Sequence, residues 1–282
     1  MNPLISNALK KDLELYFSED DLSRNLYYTA SLPHDLVDCK LKLKDDLLLA
    51  GLPYFVEAFR YLGDTSLDWD YFKKFEGKTY KKDEKAEIHF QLPFAIALTG
   101  ERIALNLLQH ASSIATYTSK FAARAKDKGI AILDTRKTTP GHRSLEKYAV
   151  RVGGGYNHRL GQTDLWMIKD NHKSFFGGVK EAVEFFRSMK GFYTPIEVEV
   201  HNMSELEEVL SLGIRHIMLD NFSPEEVKRA VKLKPVGVSF EVSGGIRLSN
   251  LDDYLIKGLD AISVGALTNG APNVDISLKY NR

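Results

Sequence analysis

Two rhythms of apolar and polar positions divide the chain. In the first hundred residues, Val37-Asp38-Cys39-Lys40-Leu41-Lys42-Leu43-Lys44 alternates strictly, and Glu87-Ile88-His89-Phe90-Gln91-Leu92 repeats that alternation. A period of two puts every apolar side chain on one face, so both stretches are read as strands with one wet face. Between them, residues 52–62 carry apolar side chains at helical spacing, with Gly51 and Pro53 marking the start. Residues 96–118 read as long helical sequence, with Gly100 and Ser112-Ser113 as places where it could break. Strand and helix without a regular repeat predict an α+β layer.

After Gly129 the rhythm becomes regular. Short β-rich runs occur at 130–136, 165–171, 196–201, 216–221, 237–243 and 261–265. Helical pattern fills most of the gaps, at 174–189, 203–212 and 224–233, with a shorter stretch at 250–257. Strands alternating with helices at this spacing mean βα units, parallel strands and right-handed crossovers. No G-x-G-x-x-G follows the first strand, which disfavours a dinucleotide-binding sheet. Six such units fit a closed or nearly closed β/α barrel better.

Composition changes this picture little. Hydrophobic residues make up 44% and charged residues 27%, and Lys+Arg and Asp+Glu are both 38. A neutral globular chain has no global pull toward nucleic acid or membranes, so any electrostatic function must come from local clustering. The single cysteine, Cys39, falls on the apolar side of its alternation and reads as a packed thiol in a reducing compartment. Charges come too early and too often in MNPLISNALKKDLELYF for a signal peptide, and no apolar run approaches ~18 residues, so a cytoplasmic protein is expected.

The clustering is at the strand ends. These read Asp134-Thr135-Arg136-Lys137, Lys169-Asp170-Asn171-His172, Glu197-Val198-Glu199-Val200-His201, Asp220-Asn221, Ser243-Gly244-Gly245 and Gly265. One charged strand end fits a core ion pair or a solvated loop. Four in succession point to an active site, because each buried charge is expensive unless something pairs with it. Barrel chemistry belongs at the C-terminal ends of strands. The charges also sort by sign: Arg136, Lys137, Arg143, Arg151, His158, Arg159, Lys169 and His172 form a basic wall, and Glu197, Glu199 and Asp220 follow it. Forked cationic donors suit carboxylates or phosphates. Carboxylates facing them suit either Mg²⁺ bridged to a pyrophosphate or a cationic sugar transition state. Gly244-Gly245 with Gly265 one unit later suits a phosphate cradle, against the plainer reading of a tight turn. Gly153-Gly154-Gly155 reads either as a mobile lid delivering His158 and Arg159 or as a plain surface loop. His110, His142 and His216 carry no evident constellation.

These motifs resemble a known family. Asp134-Thr135-Arg136-Lys137-Thr138-Thr139-Pro140-Gly141, Leu145–Val150, Gly153–Gly155, Asn157-His158-Arg159 and Ile168–His172 are similar to quinolinate phosphoribosyltransferases. The similarity continues through Glu101-Arg102, Leu105-Asn106, Glu197–Val200, Leu219-Asp220-Asn221, Ser243–Ile246 and Ser263–Thr268. The resemblance implies an α/β protein made of an incomplete β/α barrel with an N-terminal α/β sandwich. The sandwich is expected at 1–109, with 268–282 returning to it, and the barrel at 110–267. It implies a pentosyltransferase that joins quinolinate to phosphoribosyl pyrophosphate with decarboxylation, giving nicotinate mononucleotide for NAD biosynthesis. It implies Mg²⁺ as cofactor and a homodimer or higher oligomer with shared sites. Arg102 of the partner chain, Arg136, His158 and Arg159 are implied to hold quinolinate. Lys137, Lys169, His172, Ser243, Gly244, Gly245, Gly265 and Asn269 are implied to face phosphoribosyl pyrophosphate. Lys137, Lys169, Glu199 and Asp220 are the implied catalytic residues, with Glu199 and Asp220 near the metal. The family commonly has Gly at the place of Ser113 and His at the place of Asn269.

Overall fold

The structure is a computed structural model that describes residues 3–20 and 26–281. Eleven strands form among them: β1 (Leu36–Leu43), β2 (Leu47–Leu48), β3 (Thr79–Tyr80), β4 (Glu87–Pro93), β5 (Ala131–Leu133), β6 (Trp166–Ile168), β7 (Ile196–Val200), β8 (His216–Asp220), β9 (Ser239–Ser243), β10 (Ala261–Ser263) and β11 (Ile276–Asn281). By contact the chain forms two compact units. One comprises Met1–Tyr117, Pro140–Gly153 and Ala271–Arg282; the other comprises Thr118–Thr139 and Gly154–Gly270.

The first unit is built on an antiparallel sheet in the order β11-β1-β4. The alternation in β1 does what its period demands: Val37, Cys39, Leu41 and Leu43 are buried while the residues between them reach water. Burial pushes the Cys39 thiol up to about 12, which keeps it a packed, unreactive side chain. The helix Leu52–Tyr61 starts at Gly51, whose φ of 100° and position against Ala111 leave no room for a side chain: a Cβ would lie 2.8 Å from that of Ala111. The orphan N–H groups of Gly51 and Leu52 donate to the two carboxylate oxygens of Glu76, both at 2.9 Å. A distant carboxylate thus replaces a local N-cap.

The long helix runs unbroken from Phe94 to Lys126, so neither expected break occurs. Gly100 is there for packing, since a Cβ would fall 2.7 Å from the Phe59 ring. The two serines find partners that leave the helix intact. Ser112 Oγ exchanges hydrogen bonds with the Ala50 backbone, while Ser113 Oγ donates to Gln109 O and accepts the Val274 N–H at 3.0 Å. Ser113 therefore satisfies a buried amide. His110 and His142 also do more than expected, for His110 Nε2 lies 2.9 Å from the wholly buried Glu146 and its ring packs edge-on to His142.

In the second unit six parallel strands pair in the order β5-β10-β9-β8-β7-β6. The first strand lies beside the last, as wrapping into a barrel requires, and β5 and β6 share no ladder among the described residues. The barrel is incomplete at that seam. Its strands are short, and two neighbouring helices differ from expectation. The stretch 174–189 is two helices, Asp170–Phe176 and Val179–Met189, because Gly177 turns left-handed at φ 89°. The stretch 250–257 forms only the single turn Leu251–Tyr254. All five residues of β7 are buried, as expected of a parallel strand covered on both faces. No helix among the described residues is long and apolar enough to cross a membrane.

Candidate active site

The site begins where β5 ends. Asp134 is wholly buried, and its carboxylate accepts from Asn157 Nδ2 at 2.6 Å and from the His158 N–H at 2.9 Å. Tyr156 bridges Leu133 in parallel, donating its N–H to Ile132 O at 2.8 Å and accepting the Asp134 N–H at 3.1 Å. Residues 156–158 are therefore a strap zipped onto the free edge of β5. The lid reading of the glycine run does not hold here; Gly154, at φ 85°, simply lets the chain turn into the strap.

Above the strap a basin of about 320 Å³ gathers Thr135, Arg136, Lys137, His158, Arg159, Lys169, Glu199, Asp220 and Ser243. These come from the ends of five strands and from the strap, at the C-terminal mouth of the barrel. Lys169 pairs with Glu199. Among the described residues, no carboxylate is within ion-pair range of Arg136 or Lys137. Burial lowers the pKa of Arg159, and the Arg136 charge beside it adds to that. Two guanidinium groups that repel each other in a half-dry basin are a standing demand for an anion. His172 adjoins them in a second cavity with Arg136, Arg159 and Lys169. Burial, then Lys169 and Arg159, lower its pKa, so it stays neutral near pH 7.

The acidic side is more crowded than expected. His201 pairs with Asp170, lies 3.6 Å from Glu199 Oε1, and brings Nδ1 to 3.5 Å from Asp220 Oδ2. Burial and the Glu199 charge raise the pKa of Asp220. The sequence held the signal for His201, since it continues the inward parity of Glu197 and Glu199 one step past β7. Lys173 had no such signal. It is buried and bonds Glu205, Asp170 and the Glu199 carbonyl, tying the helix Asp170–Phe176 to the end of β7. Asp170, Glu199 and His201 offer ligand atoms within 4.8 Å of one another, with Asp220 alongside. A set rich in carboxylate oxygens fits Mg²⁺.

The glycines have specific work. Gly244 adopts φ 100°, and a Cβ there would lie 2.2 Å from Asn221 Oδ1 and 2.9 Å from Asn221 N. Asn221 is itself left-handed, donates Nδ2 to Asp220 at 2.7 Å, and donates its N–H to Ser243 O at 2.8 Å. The two loop starts are thus locked together by the absence of a side chain. Gly245 faces open space, and Gly265 passes the Lys137 stem, where a Cβ would sit 3.0 Å from Cδ. Asn269 is exposed at the end of the short helix Ala266–Asn269. Arg102 is exposed on the helix Phe94–Lys126, in the first unit.

Below the basin lies a buried trio that the sequence reading did not assemble. His158 Nε2 sits 3.0 Å from Glu197 and 3.4 Å from Glu241, and all three side chains are nine-tenths or more buried. Burial would lower the His158 pKa, but the hydrogen bonds to Glu197 and Glu241 outweigh it and carry it up to about 10. That value describes a doubly protonated ring, which the backbone contradicts: the Arg159 N–H donates to His158 Nδ1 at 2.7 Å. The hydrogen bond decides the tautomer, because a lone pair that accepts an N–H cannot also hold a proton. Nδ1 is therefore engaged by the backbone, while Nε2 faces the two carboxylates.

The family model for the quinolinate phosphoribosyl transferase C-terminal domain matches residues 114–279. A Bacillus subtilis protein named "Probable nicotinate-nucleotide pyrophosphorylase (carboxylating)" is 40% identical over 270 residues, covering 96% of this chain and 92% of its own. The human nicotinate-nucleotide pyrophosphorylase (carboxylating) is 38% identical over 237 residues, covering 82% and 78%. The crystal structure of NadC from Streptococcus pyogenes superposes with a TM-score of 0.87 at 34% identity, covering all of this chain and 99% of that one. Sequence likeness along nearly the whole chain and a shared fold make this protein a member of the quinolinate phosphoribosyl transferase family.

Proposed function

We propose that the chain transfers a phosphoribosyl group from phosphoribosyl pyrophosphate to quinolinate and removes one carboxylate as carbon dioxide, yielding nicotinate mononucleotide. The observation that carries this is the two-signed basin at the barrel mouth, with Arg136, Lys137, Arg159 and Lys169 facing Glu199 and Asp220. Arg136 and Arg159 hold the dicarboxylate, joined by Arg102 of a second copy. Lys137, Lys169, His172 and Asn269 face the phosphates, and the turns at Ser243, Gly244, Gly245 and Gly265 take the 5′-phosphate on backbone amides. Glu199 and Asp220 are the residues suited to hold Mg²⁺, which when bound offsets the charge of the pyrophosphate.

The chemistry then needs positioning and charge more than a nucleophile. The pyridine nitrogen bonds to the ribose C1 as the bond to pyrophosphate breaks, and that electron pair leaves with the pyrophosphate. Positive charge builds on the sugar, where Glu199 and Asp220 stabilise it. The pyridinium so formed draws electrons from the adjacent ring carbon. The bond to its carboxylate breaks, carbon dioxide departs, and the ring carbon takes up a proton. A homodimer or larger assembly acting in the cytoplasm completes the reading. The test is direct: pure protein with quinolinate, phosphoribosyl pyrophosphate and Mg²⁺ yields nicotinate mononucleotide and pyrophosphate in equal amounts, and no product would overturn the proposal.

A further inference from the structure

Inside the barrel, inward-facing positions stack in layers two residues apart along each strand. Glu199 on β7 and Ser243 on β9 belong to the basin layer. Glu197 and Glu241, two residues earlier on the same strands, line a separate cavity of about 590 Å³ below it. His158 lines both cavities and so forms part of the wall between them. Two carboxylates with an imidazole invite a metal reading, but the Arg159 N–H on Nδ1 leaves the ring proton on Nε2, where a ligand lone pair would have to be. The trio is then a donor between two acceptors. Glu197 Oε2, 3.0 Å from Nε2, and Glu241 Oε1 both lack a well-aligned hydrogen bond among the described residues, so the carboxylates hold the ring by charge and proximity.

We infer that Glu197 and Glu241 are positioning residues: they grip His158 Nε2–H, and through its Nδ1 they fix the backbone of Arg159 and thereby the guanidinium that meets the substrate carboxylate. Neither carboxylate faces the reacting atoms. Asp134 holds the same strap from the other side through the His158 N–H, so the segment is clamped by backbone and side chain together. The clamp matters because Arg159 must stay beside Arg136 against their mutual repulsion. Released from His158, the Arg159 backbone would let the two cations part and the anion site widen.

The inference rests on quinolinate as substrate for its kinetic arm only. Nitrogen NMR of the histidine-labelled protein without substrate reads the ring directly, with His158→Asn used to assign its signal. The expected wild-type state is a single tautomer protonated at Nε2. In Glu197→Met, and separately in Glu241→Met, that fixed state should give way to tautomer exchange. The quinolinate KM should rise about tenfold or more while kcat stays within about threefold and the phosphoribosyl pyrophosphate KM is unmoved. Glu197→Gln should restore most of the KM, because an amide oxygen still accepts the Nε2–H. A proton on Nδ1 in the wild type overturns the inference, as does a ring signal unchanged in both Met variants. An unmoved quinolinate KM in both, with the ring signal altered, overturns the positioning role. Failure to use quinolinate at all leaves the NMR arm to decide.

Discussion

Glu197 and Glu199 lie two residues apart on β7 and face the same barrel interior, yet their surroundings differ. Glu199 meets Lys169 in an open basin with Asp220 and His201 nearby. Glu197 lies beside His158 and Glu241, buried in the layer beneath. Burial and the neighbouring Glu241 charge raise the pKa of Glu197. The two histidines repeat the contrast. His172 lies among cations and has its pKa lowered, while His158 lies between carboxylates with its tautomer set by the Arg159 N–H. On the proposed reading one strand supplies an acid for the ligand and an acid for the protein, and depth in the barrel is what separates them.

Four measurements can break or sharpen that contrast. The largest effect should come from the ligand. Nicotinate lacks one carboxylate, and leaving part of the Arg136 and Arg159 charge unpaired should cost about 2–5 kcal/mol in kcat/KM; equal turnover of the two acids would show that the upper layer does not read a second carboxylate. Next, Glu199→Gln and Asp220→Asn should each lower kcat by about 10²-fold with little change in quinolinate affinity. That is the reverse of the pattern expected at Glu197, and a matching KM effect at both depths would abolish the distinction.

Third, Gly244→Ala forces a side chain onto the Asn221 backbone at a left-handed position. Chemical denaturation should show a loss of about 1–3 kcal/mol, with a fall in turnover because Asp220 is held by Asn221. The smallest effect concerns His172. Its folded pKa lies below the ordinary histidine value of about 6.5, so the folded state binds fewer protons than the unfolded one just below that pH. Its contribution to stability is whole above about pH 6.5 and is lost as pH falls through the folded value. His172→Phe should flatten the acid limb of the stability curve between pH 7 and 5, and an identical limb would place the proton uptake elsewhere.

Much of this was legible in sequence because it is periodic or adjacent. The alternation at Val37–Leu43 and the charged residues at successive strand ends follow from geometry that repeats along the chain. What stayed hidden depends on distance in sequence or on packing. Glu241 is far along the chain from His158, and no local pattern says that β9 brings it there. Gly100 looked like a break because a glycine's neighbours cannot be seen, and Phe59 proved to be its reason. The glycine run before Tyr156 left a mobile lid and a plain loop equally open, because the hydrogen bonds that zip the strap to β5 come from backbone groups, which carry no residue signature. The Lys173 clamp was missed because a lysine in the middle of a helix usually points to water.

The pairing of β11 with β1 has a consequence for how the molecule is made. Lys40, near the middle of β1, faces Lys279 on one side and His89 on the other. During synthesis β4 can dock at once, but the opposite edge of β1 must wait for almost the whole chain to emerge. Until then an exposed row of backbone donors and acceptors is open to any other strand. Lys40 and Lys42 on that strand, with Lys44 just past its end, give the waiting edge a charge that repels copies of itself. A ribosome stalled before residue 276 would therefore hold a nascent chain with an unsealed sheet, which is the species a chaperone would have most reason to bind.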